Sequence, residues 1–538
     1  MDDIVTTVTS GYTFDGPALE LGALVVDGQG VPGAKVRIPL RMLNRHGLVA
    51  GATGTGKTVT LQVMAEQLSA QGVPVFLADI KGDLTGMASP AAANDKIAER
   101  AASVGAAWQP TACPAEIYTL GGEGDGIPIR ATITDFGPTL LAKVLGLNAT
   151  QESSLGLVFH YADTAGLPLL DLKDLRSVVH FLTSPEGAEA LKSLGGLAKP
   201  TAGVILRELI NLEAQGADRF FGEPEFDPAD LLRTTTTDGR GVVSILELPR
   251  LQDRPALFST FLMWLLAELF EDLPEVGDLD KPKLVFFFDE AHLLFKEASK
   301  AFLESVTQTV RLIRSKGVGV FFVTQTPKDV PEDVLAQLGA RVQHALRAFT
   351  PKDAKALKAT ATTFPYSSYD LEEVLTQVGT GEAVVTVLSE KGAPTPVAWT
   401  RIRPPQSLMA PSDPALVQQI ISASQLLPKY GQTIDRESAY EMLTARLTPP
   451  PPEPAPPTPE QPATPYPPLD LPPYDSSRDP LPPATPTRTR STTSRSRAKK
   501  DSGPENLLEE VLLSVGTSFG KTMAKRIERG IFGTTRRR

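Results

Sequence analysis

Gly51-Ala52-Thr53-Gly54-Thr55-Gly56-Lys57-Thr58 follows a short apolar run, Arg45–Ala50, and opens a helical pattern reaching Gln71. It matches G-x-x-x-x-G-K-[ST] at every fixed position. The glycines let backbone N–H groups turn inward around phosphates, and the helix that follows presents its positive end to them. Lys57 has the reach for the β- and γ-phosphates, and the Thr58 hydroxyl is a ligand for Mg²⁺. The expected nucleotide-binding set is these eight residues with Val59, the next of the helix, and the expected cofactors are ATP and Mg²⁺. Val73–Ile80 (VPVFLADI) then reads as a buried strand stopped by Lys81-Gly82-Asp83. Strand, loop, helix and strand within about 35 residues make a βαβ unit, which requires a parallel sheet and a right-handed crossover.

Working outward, further continuous apolar runs read as buried strands: Val242–Leu248, Leu284–Phe288, Val318–Val323, Arg341–Phe349 and Ala383–Leu388. Apolar on both faces, they suit the interior of an α/β sheet. Helical patterns lie between them at Ala256–Glu271, Ala298–Ser315 and Pro331–Leu338. Residues 85–240 read as a mainly helical insertion.

Two strand ends carry chemistry. Leu284-Val-Phe-Phe-Phe-Asp289-Glu290 ends in paired carboxylates. Asp289 is placed to hold Mg²⁺, and Glu290 to orient the water that attacks the γ-phosphate. A glutamate directly after the aspartate points to a hydrolysing enzyme. Val320-Phe-Phe-Val-Thr-Gln325 ends in an amide that can contact the γ-phosphate or that water. Asp79, Lys81 and Asp83 could reach the nucleotide edge or a neighbouring subunit. Two strands separate the glycine loop from the carboxylate strand in sequence, an order that suits ATPases with an extra strand between those motifs.

The chain has 538 residues, 41% apolar and 22% charged, enough for a large core and for more than one unit. Its only cysteine, Cys113, excludes an intrachain disulfide and a Cys-based zinc cluster, and five scattered histidines do not suggest a metal site. The net charge is −10, unevenly spread. From Pro486 to Arg538 there are 13 Lys/Arg against 5 Asp/Glu, so a +8 tail follows a body of −18. Of 48 prolines, 18 fall in residues 449–486, which read as a polyproline II spacer. Beyond it, Leu508, Leu512, Val515, Phe519, Met523 and Ile527 recur at helical spacing, with Ser502 and Glu505 as a capping box. Lys521, Lys525, Arg526 and Arg529 lie beside that stripe. Such a helix can bind DNA, an anionic membrane surface or a protein. The N-terminus lacks the pattern of a signal peptide and no apolar run reaches membrane-spanning length. The expected location is the cytoplasm.

Together, GATGTGKT, VFLADIKGDL, FFFDEAH, VGVFFVTQTP and DVPEDVLAQLGARVQHALRAFTPKD resemble the HerA/FtsK branch of RecA-like motor ATPases, over about residues 10–410. They look closest to the bacterial HerA-like proteins of undefined role. The resemblance implies an α/β, RecA-like P-loop NTPase core with a mainly parallel central sheet. It implies a homo-oligomeric ring, commonly a hexamer, that translocates or unwinds DNA at the expense of ATP. Rings of this type complete each site with a neighbour's arginine. Arg347 and Arg314 are the leading candidates, ahead of Arg311 and Arg341, and Arg401 and Arg403 resemble a segment near the nucleotide base. The runner-up is an ATP-gated protein-remodelling factor or scaffold that does not act on DNA. The expected organisation is a β-rich lead-in at 1–40, core at 41–84, insertion at 85–240, core at 241–400 and a helical extension at 401–447. A disordered Pro-rich then basic linker follows at 448–500, and the basic amphipathic helix at 501–538.

Overall fold

A computed structural model of the chain describes residues 2–447, apart from 192–194, 252–253, 278 and 296–299. The expected linker at 448–500 and amphipathic helix at 501–538 lie outside the described residues.

Twelve strands form one sheet among the described residues. In chain order they are β1 (Ala18–Val26), β2 (Gln29–Pro39), β3 (Gly47–Ala50), β4 (Val75–Asp79), β5 (Ala115–Leu120) and β6 (Ile127–Ile129). Then come β7 (Val243–Glu247), β8 (Leu284–Phe288), β9 (Val318–Thr324), β10 (Ala340–Gln343), β11 (Glu382–Thr386) and β12 (Ala398–Ile402). Their spatial order is β2-β1-β12-β11-β10-β3-β9-β8-β4-β7-β5-β6. From β10 to β6 every neighbouring pair is parallel, and from β2 to β10 every pair is antiparallel. The sheet is therefore mainly parallel, as the apolar runs predict.

The central strands are buried along their whole length. Every residue of β3, β4, β8 and β9 is inaccessible or nearly so. The aromatics of β8 interlock with both neighbours: Phe286 meets Phe76 of β4 at 5.0 Å, and Phe287 stacks on Phe321 of β9 at 5.2 Å between ring centroids. The helix Pro255–Asp272 buries Leu257, Phe258 and the run Thr260–Leu269, including Glu268. Among the described residues no helix is long and apolar enough to cross a membrane.

Several elements differ from the sequence reading. The run Arg341–Phe349 is strand only to Gln343: His344 N–H still donates to Ala50 O of β3 at 2.7 Å, but the next bond goes to the glycine loop, where Ala345 O accepts from Ala52 N–H at 2.9 Å. Pro331–Leu338 is helical only over Glu332–Leu335. Residues 85–240 hold several helices but also contribute β5 and β6, which extend the parallel sheet at its edge. Their signal is weak: β5 is short and alternating, and its buried Glu116 is paired with Arg233 at 2.5 Å. The N-terminal β1–β2 hairpin joins the same sheet through β12, so it is continuous with the core. A helix, Asp2–Gly11, precedes it.

Candidate nucleotide site at the carboxyl edge of the sheet

In a parallel sheet all strands end at one edge, where ligands of open α/β folds bind. Here β3, β9, β8 and β4 are consecutive neighbours, and their registers are level. Ala50 pairs with Thr324, while Phe288 pairs with both Phe322 and Ala78. The residues that leave those strands are Gly51, Gln325, Asp289 and Asp79–Lys81. The sequence-predicted residues therefore meet at one edge. The strand between the glycine-loop strand and the carboxylate strand is β9, which carries Gln325 itself.

The loop 51–56 is anchored on three sides. Gly51 N–H donates to Thr324 O at 3.2 Å, Ala52 N–H to Ala345 O at 2.9 Å, and Gly381 N–H to Thr55 O at 2.9 Å. Two glycines are required by this arrangement. Gly51 lies at φ 156°, and a Cβ there would come within 2.5 Å of the His344 Cβ. Gly56 lies at φ 114°, with Gly381 Cα 3.1 Å from where its Cβ would stand. The helix Lys57–Ala70 begins directly at Gly56, which supplies no side-chain cap. Its first-turn N–H groups are left for an outside acceptor, the arrangement that suits phosphate. Thr53 and Gly54 are exposed, and Thr58 and Val59 half-buried.

Lys57 is buried and folded back, donating to Gly51 O at 2.7 Å and Ala52 O at 3.2 Å. Burial lowers its pKa, and the neighbouring Lys81 adds to that. An ammonium held on its own loop by carbonyls is one that anionic oxygens can draw away.

Asp289 is fully buried. Its Oδ2 meets Lys81 Nζ at 3.3 Å, while Oδ1 has no hydrogen-bond partner. Burial raises its pKa above the usual carboxylate range. An unpartnered buried carboxylate oxygen beside a phosphate-type loop fits a divalent cation, whose preferred ligands are hard oxygens. With the Thr58 hydroxyl at the helix start, the donor set suits Mg²⁺.

Glu290 adopts φ 48°, a left-handed conformation uncommon for a non-glycine residue. Its Oε2 accepts from Gln325 Nε2 at 2.5 Å and its Oε1 lies 2.6 Å from Lys81 Nζ. His292 Nδ1 approaches Oε2 to 3.2 Å without the geometry of a hydrogen bond. Burial works to lower the pKa of Lys81, but the carboxylates of Asp289 and Glu290 outweigh it and push it up to about 12. Asp79 folds the turn that carries Lys81, accepting from the backbone N–H groups of Lys81, Gly82 and Leu84 at 2.7–3.1 Å. Burial pushes Asp79 up to about 7.

Two contributors escape the sequence reading. His344 is buried beneath the loop, with Nε2 2.9 Å from Thr60 Oγ1 and Nδ1 2.7 Å from Glu382 O. The carbonyl fixes the tautomer: Nδ1–H donates and Nε2 accepts from Thr60. Burial lowers its pKa to about 4, so the ring is a neutral strut. A lone histidine in an apolar run gives no sequence signal of this. Asp329 caps the turn after β9, accepting from Thr324 Oγ1 at 2.8 Å and Thr326 N–H at 3.1 Å, and its charge reaches Lys57. The Thr326-x-x-Asp329 capping box could have revealed it.

The arginines divide. Arg347 is exposed, two residues past the Ala345 carbonyl that holds the loop. Arg314 precedes β9 and so lies at the opposite edge, lining a surface pocket with Arg45 and Arg311. The structure does not bring Arg314 to the site of its own chain. Arg341 donates to Thr363 O at 2.9 Å. Arg401 pairs with Glu382 at 2.9 Å and Arg403 approaches Glu20 at 3.8 Å, so both brace the β1–β12 side of the sheet.

A parallel sheet whose carboxyl edge joins a glycine loop, an Asp-Glu pair and a strand-end glutamine defines the P-loop class of α/β proteins. The chain belongs to the family described as helicase HerA-like C-terminal, whose model matches residues 25–538. It is 26% identical over 232 residues to the DNA double-strand break repair helicase HerA of Sulfurisphaera tokodaii, covering 42% of this chain and 44% of that protein. It is 29% identical over 153 residues to the probable helicase MJECL08 of Methanocaldococcus jannaschii, covering 27% of this chain and 28% of that protein. The chain thus spans less than half the length of these curated relatives. In fold it is similar to the bacterial conjugative coupling protein TrwBdeltaN70 in its unbound monoclinic form. The TM-score is 0.51 and the identity 15%, over 76% of this chain and 95% of that one.

Proposed function

We propose that the chain is an Mg²⁺-dependent ATPase that works as a homo-oligomeric ring, a hexamer being favoured, and moves or unwinds DNA. One observation carries the hydrolytic part of this reading. Asp289 presents a buried, unpartnered oxygen while Glu290, held by Gln325, sits at the end of the same strand beside the glycine loop. Membership of the HerA-like family and the name of the repair helicase relative support DNA as the substrate.

The residues divide the work as follows. The N–H groups of the loop and first helical turn beyond Ala52 and the Lys57 ammonium bind the triphosphate, Lys57 leaving Gly51 O and Ala52 O to do so, while the Gly51 and Ala52 N–H groups anchor the loop. Thr58 and Asp289 would hold Mg²⁺, which would supply charge neutralisation for the triphosphate. Glu290 orients the attacking water and accepts its proton at Oε1 or Oε2. Gln325 aims the glutamate and contacts the γ-phosphate. A guanidinium from the neighbouring subunit meets charge that grows in the transition state, an effect worth about 10³–10⁵ in rate in GTPases. Arg347 is the better placed of the two leading candidates, because its exposed loop also braces Ala52. Arg314, on the far edge, serves only if the ring turns that edge toward the next site.

The test is the ATPase rate with and without single- and double-stranded DNA, together with mass in solution. Stimulation by DNA and a ring-sized mass support the proposal. Turnover without binding or stimulation by either DNA, across low and moderate salt, favours an ATP-gated protein-remodelling factor. The −18 charge of residues 1–485 is the observation on that side.

A further inference from the structure

We propose that Lys81 is a built-in counter-ion that stands in the cation's place between Asp289 and Glu290, so that a divalent metal enters by exchanging with it. The proposal rests on reading the site as an Mg²⁺–nucleotide centre.

The side chains of Asp289 and Glu290 have four carboxylate oxygens between them. Lys81 Nζ takes two, Glu290 Oε1 at 2.6 Å and Asp289 Oδ2 at 3.3 Å. Gln325 takes a third, Glu290 Oε2. Only the buried Asp289 Oδ1 is left without a partner. One ammonium is shared by two adjacent carboxylates and offsets half of their charge. It also engages both oxygens of Glu290 with side chains, which keeps the glutamate from serving a water.

A divalent cation on Asp289 changes this balance. A dication held there would repel an ammonium lodged on the same carboxylate. Lys81 has somewhere to go. Its side chain is 36% exposed and it stands on a turn outside β4, followed by Gly82 at φ 77°. The turn itself stays folded, because Asp79 holds the backbone N–H groups of Lys81, Gly82 and Leu84 rather than the ammonium. Withdrawal of Lys81 therefore costs the ion pair and little else, and frees Glu290 Oε1. Arrival of the metal and release of the glutamate become one event. Lys81 is a positioning residue here: it touches the carboxylates, not the nucleotide or the water, and acts through them.

The experiment measures Mn²⁺ binding to the full chain by electron paramagnetic resonance, without nucleotide or DNA. The proteins are wild type, Lys81→Met, Lys81→Gln, Lys81→Arg and Asp289→Asn. The first two variants should bind Mn²⁺ roughly tenfold more tightly, the worth of one lost charge-assisted contact. Lys81→Arg, which keeps the charge, should stay near wild type, and Asp289→Asn should lose binding. In steady-state hydrolysis Lys81→Met should need less Mg²⁺ for half-maximal rate, with KM for ATP unchanged at saturating Mg²⁺. Unchanged Mn²⁺ affinity in both neutral variants, with binding lost in Asp289→Asn, overturns the role of Lys81 alone. A raised KM for ATP in Lys81→Met, at unchanged metal affinity, overturns it in favour of a phosphate ligand. Undiminished Mn²⁺ binding by Asp289→Asn overturns the reading of the metal site and the proposal with it.

Discussion

Gln325 Nε2 donates to Glu290 Oε2 at 2.5 Å, joining the ends of two adjacent parallel strands, β9 and β8. The amide belongs to the strand that lies between the glycine-loop strand and the carboxylate strand, so one side chain faces both halves of the site. On the proposed reading a residue in that place aims the glutamate as well as contacting phosphate. Gln325→Ala should lower kcat by about 10–10²-fold with KM for ATP little changed, the pattern of a contact made mainly in the transition state. Steady-state ATPase kinetics check this, and a change confined to KM would assign Gln325 to ground-state binding instead.

Lys57 is held by two carbonyls of its own loop, and on the proposed reading it transfers to the triphosphate. Lys57→Ala should remove turnover by at least about 10²-fold. Its fold should be kept, since the loop is also tied to Thr324, Ala345 and Gly381 by backbone bonds. Hydrolysis assays paired with circular dichroism read the two effects separately; full activity in this variant would sink the assignment of the loop.

The helix that starts at Lys57 carries a second buried charge. Glu66 accepts from Gln406 N–H at 2.8 Å and from Ser407 N–H and Oγ–H at 3.2 Å, clamping the chain as it leaves β12. Burial, against those hydrogen bonds, pushes its pKa from 4.5 up to about 7. The folded state therefore holds a proton that the unfolded chain has lost between those values. The associated stability is full below about pH 4.5 and disappears as pH rises through about 7, a change on the order of 3 kcal/mol. Urea midpoints measured from pH 5 to 8 should fall more steeply for wild type than for Glu66→Gln. Parallel curves would contradict the titration.

The aromatic rows of β8 set the strand's height in the sheet. Phe287 is fully buried and stacked on Phe321 at 5.2 Å. Phe287→Ala should cost about 3–5 kcal/mol of stability by leaving a cavity between two strands that both carry site residues. Chemical denaturation gives the number, and a loss below about 1 kcal/mol would mean that the sheet collapses around the gap.

How much of this was legible beforehand follows from how local each signal is. The glycine loop, Asp289-Glu290 and the Val318–Thr324 strand were readable because each is a contiguous pattern with its own periodicity and punctuation. Where contacts are long-range the sequence was silent. His344 supports Thr60 from 284 positions away, and nothing in its own neighbourhood announces that. The sequence places Lys81 where it could reach the nucleotide edge or a neighbouring subunit but does not show its partners, carboxylates 208 and 209 positions on, a pairing that the parallel neighbours β4 and β8 create. Strand β10 was drawn too long because its apolar composition continues after its hydrogen bonds turn to the glycine loop. Strands β5 and β6 escape the sequence reading because they are short.

The most direct measurement is ATP hydrolysis by Glu290→Gln in Mg²⁺, read beside binding of a fluorescent ATP analogue by the same protein. The amide keeps the shape and a hydrogen-bond acceptor but cannot take the water's proton. Nucleotide affinity should stay near wild type while kcat falls by about 10²–10⁴-fold. Wild-type turnover in Glu290→Gln would contradict the central claim that this glutamate, beside the glycine loop, is the group that drives hydrolysis.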